Sequence, residues 1–187
     1  MKYSINSIAA LFLTALLLLF YSCSEENERF STASSFFDLK LFFNKELDDI
    51  SLVNEIQKTV EINGVMETET LSKNNLEKEI NVFSNSDINR LAWLDKYQVD
   101  SVFTDQGLLR FLRHRAIDKS MRTQLLEVCY SKQKVTSIFI RNIIDGFATN
   151  SKKEITYAPG YGYSILTEQK TLFGSRQEFK VDVKYMY

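Results

Sequence analysis

Residues 56–71 read IQKTVEINGVMETETL. Two runs of strand-forming residues, Ile56–Ile62 and Val65–Leu71, flank Asn63-Gly64. That dipeptide is the strongest short hairpin signal, because a type I′ turn needs positive φ at both central positions. A two-residue loop fixes the register, so Ile62 should face Val65, Val60 should face Glu67, and Lys58 should face Glu69. The last pair is oppositely charged and adds a few tenths of a kcal/mol, enough to favour that register.

Downstream the chain reads mostly as strand. Tyr97–Thr104 alternates Tyr97, Val99, Ser101 and Phe103 against polar neighbours. Leu108–Ile117 suits either period and is read as a strand. Arg122–Tyr130 and Val135–Ile144 enclose Ser131-Lys132-Gln133-Lys134, a four-residue polar connection typical of a hairpin. Glu154–Ala158 follows a polar loop. Tyr161–Phe173 and Arg176–Tyr185 are joined by Gly174-Ser175, which fits a type II′ turn with glycine first. In the last strand Phe179, Val181, Val183 and Tyr185 face one way, and Lys180, Asp182 and Lys184 the other.

Upstream, residues 35–50 place Phe36, Leu39, Phe43, Leu47 and Ile50 at helical spacing, with Ser34 or Ser35 as the cap and Asp38 in the first turn. A second, shorter helix over 74–86 carries Leu76, Ile80 and Phe83 on one face. The expected fold class is α+β. About eight antiparallel strands form a curled, half-barrel-like meander, with the N-terminal amphipathic helix and the second short helix packed on it. Residues 35–187 form a single domain under this reading.

The chain has 187 residues, 23 Lys plus Arg against 24 Asp plus Glu, and a net charge of -1. That length fits one domain, and the charge gives no pull toward nucleic acid. With a single histidine, His114, the common zinc sets of several His and Cys ligands cannot be assembled in one chain. No D-x-D-x-D-G calcium loop and no G-x-S-x-G nucleophile turn occurs. His114 sits between Arg113 and Arg115, whose charges should depress its pKa, and no orienting carboxylate lies nearby in sequence. Cys129 falls within a strand and reads as a buried structural thiol. The expectation is a non-enzymatic protein with no cofactor, no metal and no catalytic residue.

Two surface groups are candidates for contact with a ligand or partner. Arg110, Arg113 and Arg115 belong to a local basic run suited to anionic glycans or lipid phosphates, or to a merely solvated strand. The C-terminal aromatics mostly read as core, but Tyr161 and Tyr163 flank Gly162 beside Pro159-Gly160, where a loop tip would leave rings free to stack on sugars. Trp93 reads as a core plug.

The N-terminus carries an address. Lys2 is followed by the apolar run Ile8–Phe20, then by Ser22 and Cys23, and the composition turns abruptly polar at Ser24-Glu25-Glu26. This stretch resembles the signal peptide of bacterial lipoproteins, matched on Phe20-Tyr21-Ser22-Cys23. The resemblance implies removal of residues 1–22 and lipidation of Cys23, whose thiol receives a diacylglyceryl group and whose new amino terminus is often acylated. Residues 23–34 would then be a flexible tether. An uncleaved anchor needs about 20 apolar residues, and Ile5–Tyr21 is shorter and interrupted. An ordinary secretory signal with an incidental cysteine is the other reading. Glu25 and Glu26 after the cysteine resemble a signal of Bacteroidota for export to the outer face of the outer membrane.

A second resemblance points to the same compartment. Thr68-Glu69-Thr70-Leu71, then Ser86-Asp87-Ile88-Asn89, then Trp93, Asp95 and Tyr97 are similar in order and type to a family of Bacteroidota lipoproteins with no assigned activity. It implies an outer-membrane lipoprotein held by its lipid anchor, and it implies no mechanism. The expected role is a module binding an apolar or glycan ligand in the sheet concavity, and the alternative is a structural or interaction subunit of an outer-membrane assembly contacting an envelope protein partner.

Overall fold

A computed structural model of the chain describes residues 36–72 and 76–187. The expected signal segment 1–22, Cys23, the expected tether 23–34 and the expected serine caps lie outside the described residues. The elements are helix α1 (Leu39–Ile50), strands β1 (Glu55–Ile62) and β2 (Val65–Ser72), helix α2 (Leu76–Ser84), a 3-10 turn at Leu91–Trp93, then β3 (Tyr97–Phe103), β4 (Leu109–Ala116), β5 (Thr123–Ser131), β6 (Lys134–Asp145), β7 (Thr149–Ala158), β8 (Gly162–Thr171) and β9 (Arg176–Met186). The fold is α+β: one curled, open, antiparallel sheet of nine strands with two short helices.

The first hairpin forms in the expected register, with Ile62 opposite Val65, Val60 opposite Glu67 and Lys58 opposite Glu69. Its turn residues have φ of 50° at Asn63 and 88° at Gly64, as a type I′ turn requires. The meander itself runs from β3 to β9, and the sheet order is β2-β1-β9-β8-β7-β6-β5-β4-β3. The first hairpin therefore joins the last strand, with Ile56 opposite Tyr185 and Val60 opposite Val181. The chain then passes through α2 to the opposite edge of the sheet to begin β3.

Four local readings are corrected. Helix α1 begins at Leu39, and Asp38 is itself the cap, its Oδ1 accepting from Leu41 N at 2.8 Å. The β5–β6 loop is two residues, because Ser131 pairs with Lys134. Lys132 and Gln133 hold φ of 49° and 63° without a glycine between them. Gly174 is not in the left-handed region that a II′ turn needs; the β8–β9 loop closes through Gly174 N to Thr171 O at 3.3 Å, with Phe173 at its apex. Finally, β7 starts at Thr149, five residues before the hydrophobic alternation begins. Its polar first half is held by ladder bonds to β6 and β8 on both sides, which require no apolar side chain.

The concave face is covered by α1 and α2. Leu39, Phe43 and Ile50 from α1 and Leu76, Ile80 and Phe83 from α2 are buried against the inward row of the sheet. Phe43 stacks on Phe83 at 4.6 Å, and both meet the edge of Tyr157, at 4.9 and 5.5 Å. The Tyr157 hydroxyl donates to Glu46 Oε2 at 2.6 Å. Burial raises the pKa of both partners, so the phenol stays a donor and Glu46 is held above the usual carboxylate range. The space beneath α1 is thus filled with aromatic side chains.

Candidate functional site

Polar groups gather where the chain enters the domain. Phe36 lies edge-on to Tyr97 at 5.6 Å and to His114 at 5.3 Å. Phe37 N–H donates to His114 Nε2 at 3.3 Å, and Phe37 O accepts from Asn89 Nδ2 at 3.0 Å. Asp87 Oδ1 accepts from Leu39 N at 3.3 Å and from Asn89 Nδ2 at 3.4 Å. Beneath these, Ser86 Oγ accepts from Asn142 Nδ2 at 2.9 Å and Ser86 O accepts from Thr123 Oγ1 at 3.1 Å. The Tyr97 hydroxyl donates to Thr123 O at 2.8 Å. Ser86-Asp87-Ile88-Asn89 therefore acts as a clamp. Its Asp87 and Asn89 side chains pair Leu39 N–H and Phe37 C=O, two backbone groups that no strand or helix satisfies.

His114 lies in this clamp, fully buried, with its pKa pushed down to about 4. The cause is burial. Arg113 and Arg115 sit on the opposite face of β4, so the expected effect of flanking cations is replaced by desolvation of the ring. Nε2 accepts from Phe37, so Nδ1 carries the ring proton; that atom and Asn142 Oδ1 are buried with no hydrogen-bond partner among the described residues. The only basic nitrogen of the imidazole is committed to a backbone amide, which makes His114 a structural acceptor. Burial also raises the pKa of Asp87, partly opposed by Asn89.

The basic run is divided between the faces of β4: Arg113 and Arg115 lie on the outer face, and Arg110 at the strand's start has the parity of Leu112 and His114. Arg113 pairs with Glu127 at 2.5 Å and lies over the Phe111 ring at 4.7 Å. Arg141, Glu154 and Phe139 repeat the pattern on the neighbouring strands, at 2.8 and 5.5 Å. Arg110 and Arg115 are exposed. Tyr161 is 79% exposed on the β7–β8 turn, whereas Tyr163 is buried and meets Phe83 at 5.5 Å. Strands β4 and β8 are four places apart in the sheet, about 19 Å at ordinary strand spacing, so the arginines and tyrosines do not form one site. An open groove of about 500 Å³ lies beside Tyr161, bordered by Thr59, Met66, Ser164 and Asp182. Gly162 borders it, at φ 130°, where a Cβ would lie 2.0 Å from Val183 O. Cys129 is half-buried on the outer face and unbonded, and Trp93 is half-buried beneath the Arg90 guanidinium at 4.4 Å.

One feature had no signal in strand periodicity. Beyond the helices, the ends of β6–β9 project as a panel past the neighbouring turns. Ile62, the last residue of β1, is level with Phe179, and Arg122 N-terminal to β5 is level with Ile143. At the end of the panel Phe147 is 93% exposed, Phe173 98% and Leu172 54%. The two tips are joined by Leu172 N donating to Ala148 O at 3.0 Å. Isolated apolar side chains on a surface are ordinary, but an almost fully exposed phenylalanine on each of two joined turns is not.

No protein-family model, no curated protein and no solved structure matches the chain. Among the described residues no His, Cys, Asp and Glu side chains gather in a group that could hold a metal ion. No described helix is long and apolar enough to cross a membrane.

Proposed function

We propose that the chain is a non-enzymatic outer-membrane lipoprotein, acylated at Cys23, that serves as an interaction subunit of the cell envelope. The observation that carries this reading is the contrast between the two ends of the concave face. Phe43, Phe83 and Tyr157 fill the space where an enclosed ligand would sit, while apolar side chains stand in solvent at the sheet's far end and along its edge. Strand β2 is exposed along its whole length, with Val65 and Met66 outermost. Among the described residues β2 is an edge strand of the sheet; such an edge pairs readily with an added strand, and Glu67 and Glu69 on it disfavour pairing with a second copy of itself.

The test is affinity capture from intact envelopes with three proteins: the natural chain, Cys23→Ala, and Val65→Lys. A stoichiometric protein partner lost with both changes is the expected result. A co-purifying small molecule retained by Val65→Lys would overturn it. The groove beside Tyr161 favours a second reading, an open glycan site. In that case Tyr161→Ala would abolish binding to a glycan panel that Val65→Lys, outside the groove, leaves intact.

A further inference from the structure

We infer that the chain forms a two-fold dimer by pairing strand β3 with β3 of a second copy. The inference goes beyond the function proposed above, and it rests neither on acylation of Cys23 nor on what meets β2. Three observations carry it.

The first is the backbone. Among the described residues β3 is the other edge of the sheet. Ile117 N donates to Lys96 O at 2.8 Å, which makes Lys96 and Ile117 a hydrogen-bonded pair of the β3–β4 ladder. Every second residue from there, Gln98, Asp100 and Val102, also spends its backbone groups on β4. Tyr97, Val99 and Ser101 turn theirs outward, to no partner among the described residues.

The second is the inward row of this edge. Strand edges are usually blunted by proline or by charged side chains turned inward. Edge β2 does this with Glu67 and Glu69, opposite Val60 and Lys58. The inward row of β3 is Tyr97, Val99, Ser101 and Phe103, and it carries no charge. Val99 is 43% exposed there, although His114 directly opposite is fully buried. An apolar row of the core thus runs out to an uncovered edge.

The third is self-complementarity, and it selects the partner. The β3–β4 ladder shifts register between Val102 and Phe103, so the regular stretch covers 96–102 and is centred on Val99. Full antiparallel overlap of two such stretches puts Val99 of both copies on the two-fold axis. The outward backbone groups then meet, Val99 with Val99 and Tyr97 with Ser101. On the outer face Gln98 of each copy stands opposite Asp100 of the other, an amide donor against a carboxylate. These contacts replace the exposed 3.4 Å bond from Gln98 Nε2 to Asp100 Oδ1 within one chain. A slip of one ladder step shortens the overlap. In one direction it also sets Asp100 against Asp100, and in the other Gln98 against Gln98. The longest overlap and the best side-chain match therefore coincide in one register, and a second copy supplies both.

The test measures the mass of the full chain by sedimentation in detergent, with the micelle density-matched. The natural chain is expected at twice its own mass. Val99→Lys sets two ammonium groups face to face at the axis, and should give a single mass with an unchanged circular dichroism spectrum. Val65→Lys puts the same charge on edge β2 and should leave the dimer intact. Disulfide formation reads the register. Val99→Cys should cross-link, because a hydrogen-bonded pair holds its Cα atoms about 5.5 Å apart, within disulfide range. Ser101→Cys should not, since its two copies stand four residues apart along the strand, about 14 Å. The natural chain is the background for any bond that Cys129 makes. A natural chain of single mass overturns the inference. So does a dimer that survives Val99→Lys or is lost with Val65→Lys, and so does cross-linking at Ser101→Cys in preference to Val99→Cys. A Val65→Lys dimer that has lost an envelope partner supports this inference separately from the function proposed above. A natural monomer that keeps such a partner breaks this inference alone.

Discussion

Strands β6 to β9 contain two regions built on the same ladder but packed in opposite ways. In the covered half, Ile138, Ile140, Ile155 and Tyr157 are fully buried beneath α1 and α2. In the projecting half, Ile143 and Ile144 are exposed, and Ser151 and Gln169 stand where the inward apolar row would continue. Register continues unbroken across both, from Ile138 opposite Tyr157 to Asp145 opposite Asn150. The difference teaches that the ladder sets the geometry of a strand and leaves stability to its side chains. Apolar burial is worth about 25 cal/mol per Å², and only the covered half has it.

The sharpest way to break this comparison is to remove the same side chain from each region. Phe43→Ala should cost about 3–5 kcal/mol in urea unfolding, because it opens a cavity between Phe83 and Tyr157. If the covered half were not the stability centre, the loss would be far smaller.

The clamp gives the next effect. His114 has a pKa near 4 in the folded chain against an ordinary 6.5, so the unfolded chain binds a proton that the folded chain refuses between those values. Its stabilising contribution is complete above pH 6.5 and is lost as pH falls to 4, about 3 kcal/mol over that window. Asp87 and Glu46, with raised folded pKa values, act in the opposite sense, so the measurement is a difference. The pH dependence of unfolding should flatten in His114→Leu relative to the natural chain between pH 6.5 and 4. An unchanged profile would place His114 in contact with water.

A smaller change reports on turns. Lys132 and Gln133 both occupy the left-handed region, and Gln133→Gly should raise stability by about 1 kcal/mol by removing the Cβ penalty. The midpoint of thermal unfolding reads this directly. The smallest effect belongs to the projecting half. Phe147→Ala and Phe173→Ala should each change stability by less than about 0.5 kcal/mol, since neither ring is packed. A loss approaching that of Phe43→Ala would mean that the tips support the fold, and the contrast between the halves would fail.

Much of the architecture was legible before the structure. Asn63-Gly64 dictated a hairpin and its register, and the spacing of Leu76, Ile80 and Phe83 dictated a helix face. The ambiguous run at 108–117 resolves as strand β4, Leu109–Ala116, with Leu112, His114 and Ala116 turned inward. The start of β7 was not legible, because a strand wet on both faces shows no apolar alternation. The clamp was visible only as a resemblance on Ser86-Asp87-Ile88-Asn89. Nothing in those four residues says that their partners are Phe37, Leu39, Thr123 and Asn142, up to 56 positions away.

The sequence by itself determined what depends on neighbours a few residues apart: turn chemistry, helical and strand periods, and the alternation that turns Val183 and Tyr185 inward. Tertiary structure alone decided which edge received the first hairpin, which face buried His114, and which strand ends passed beyond the helices. Turns and periods are set by local sterics and side-chain spacing. The choice of edge and cover is set by the total apolar surface removed from water, a sum over distant segments that no single stretch of chain contains.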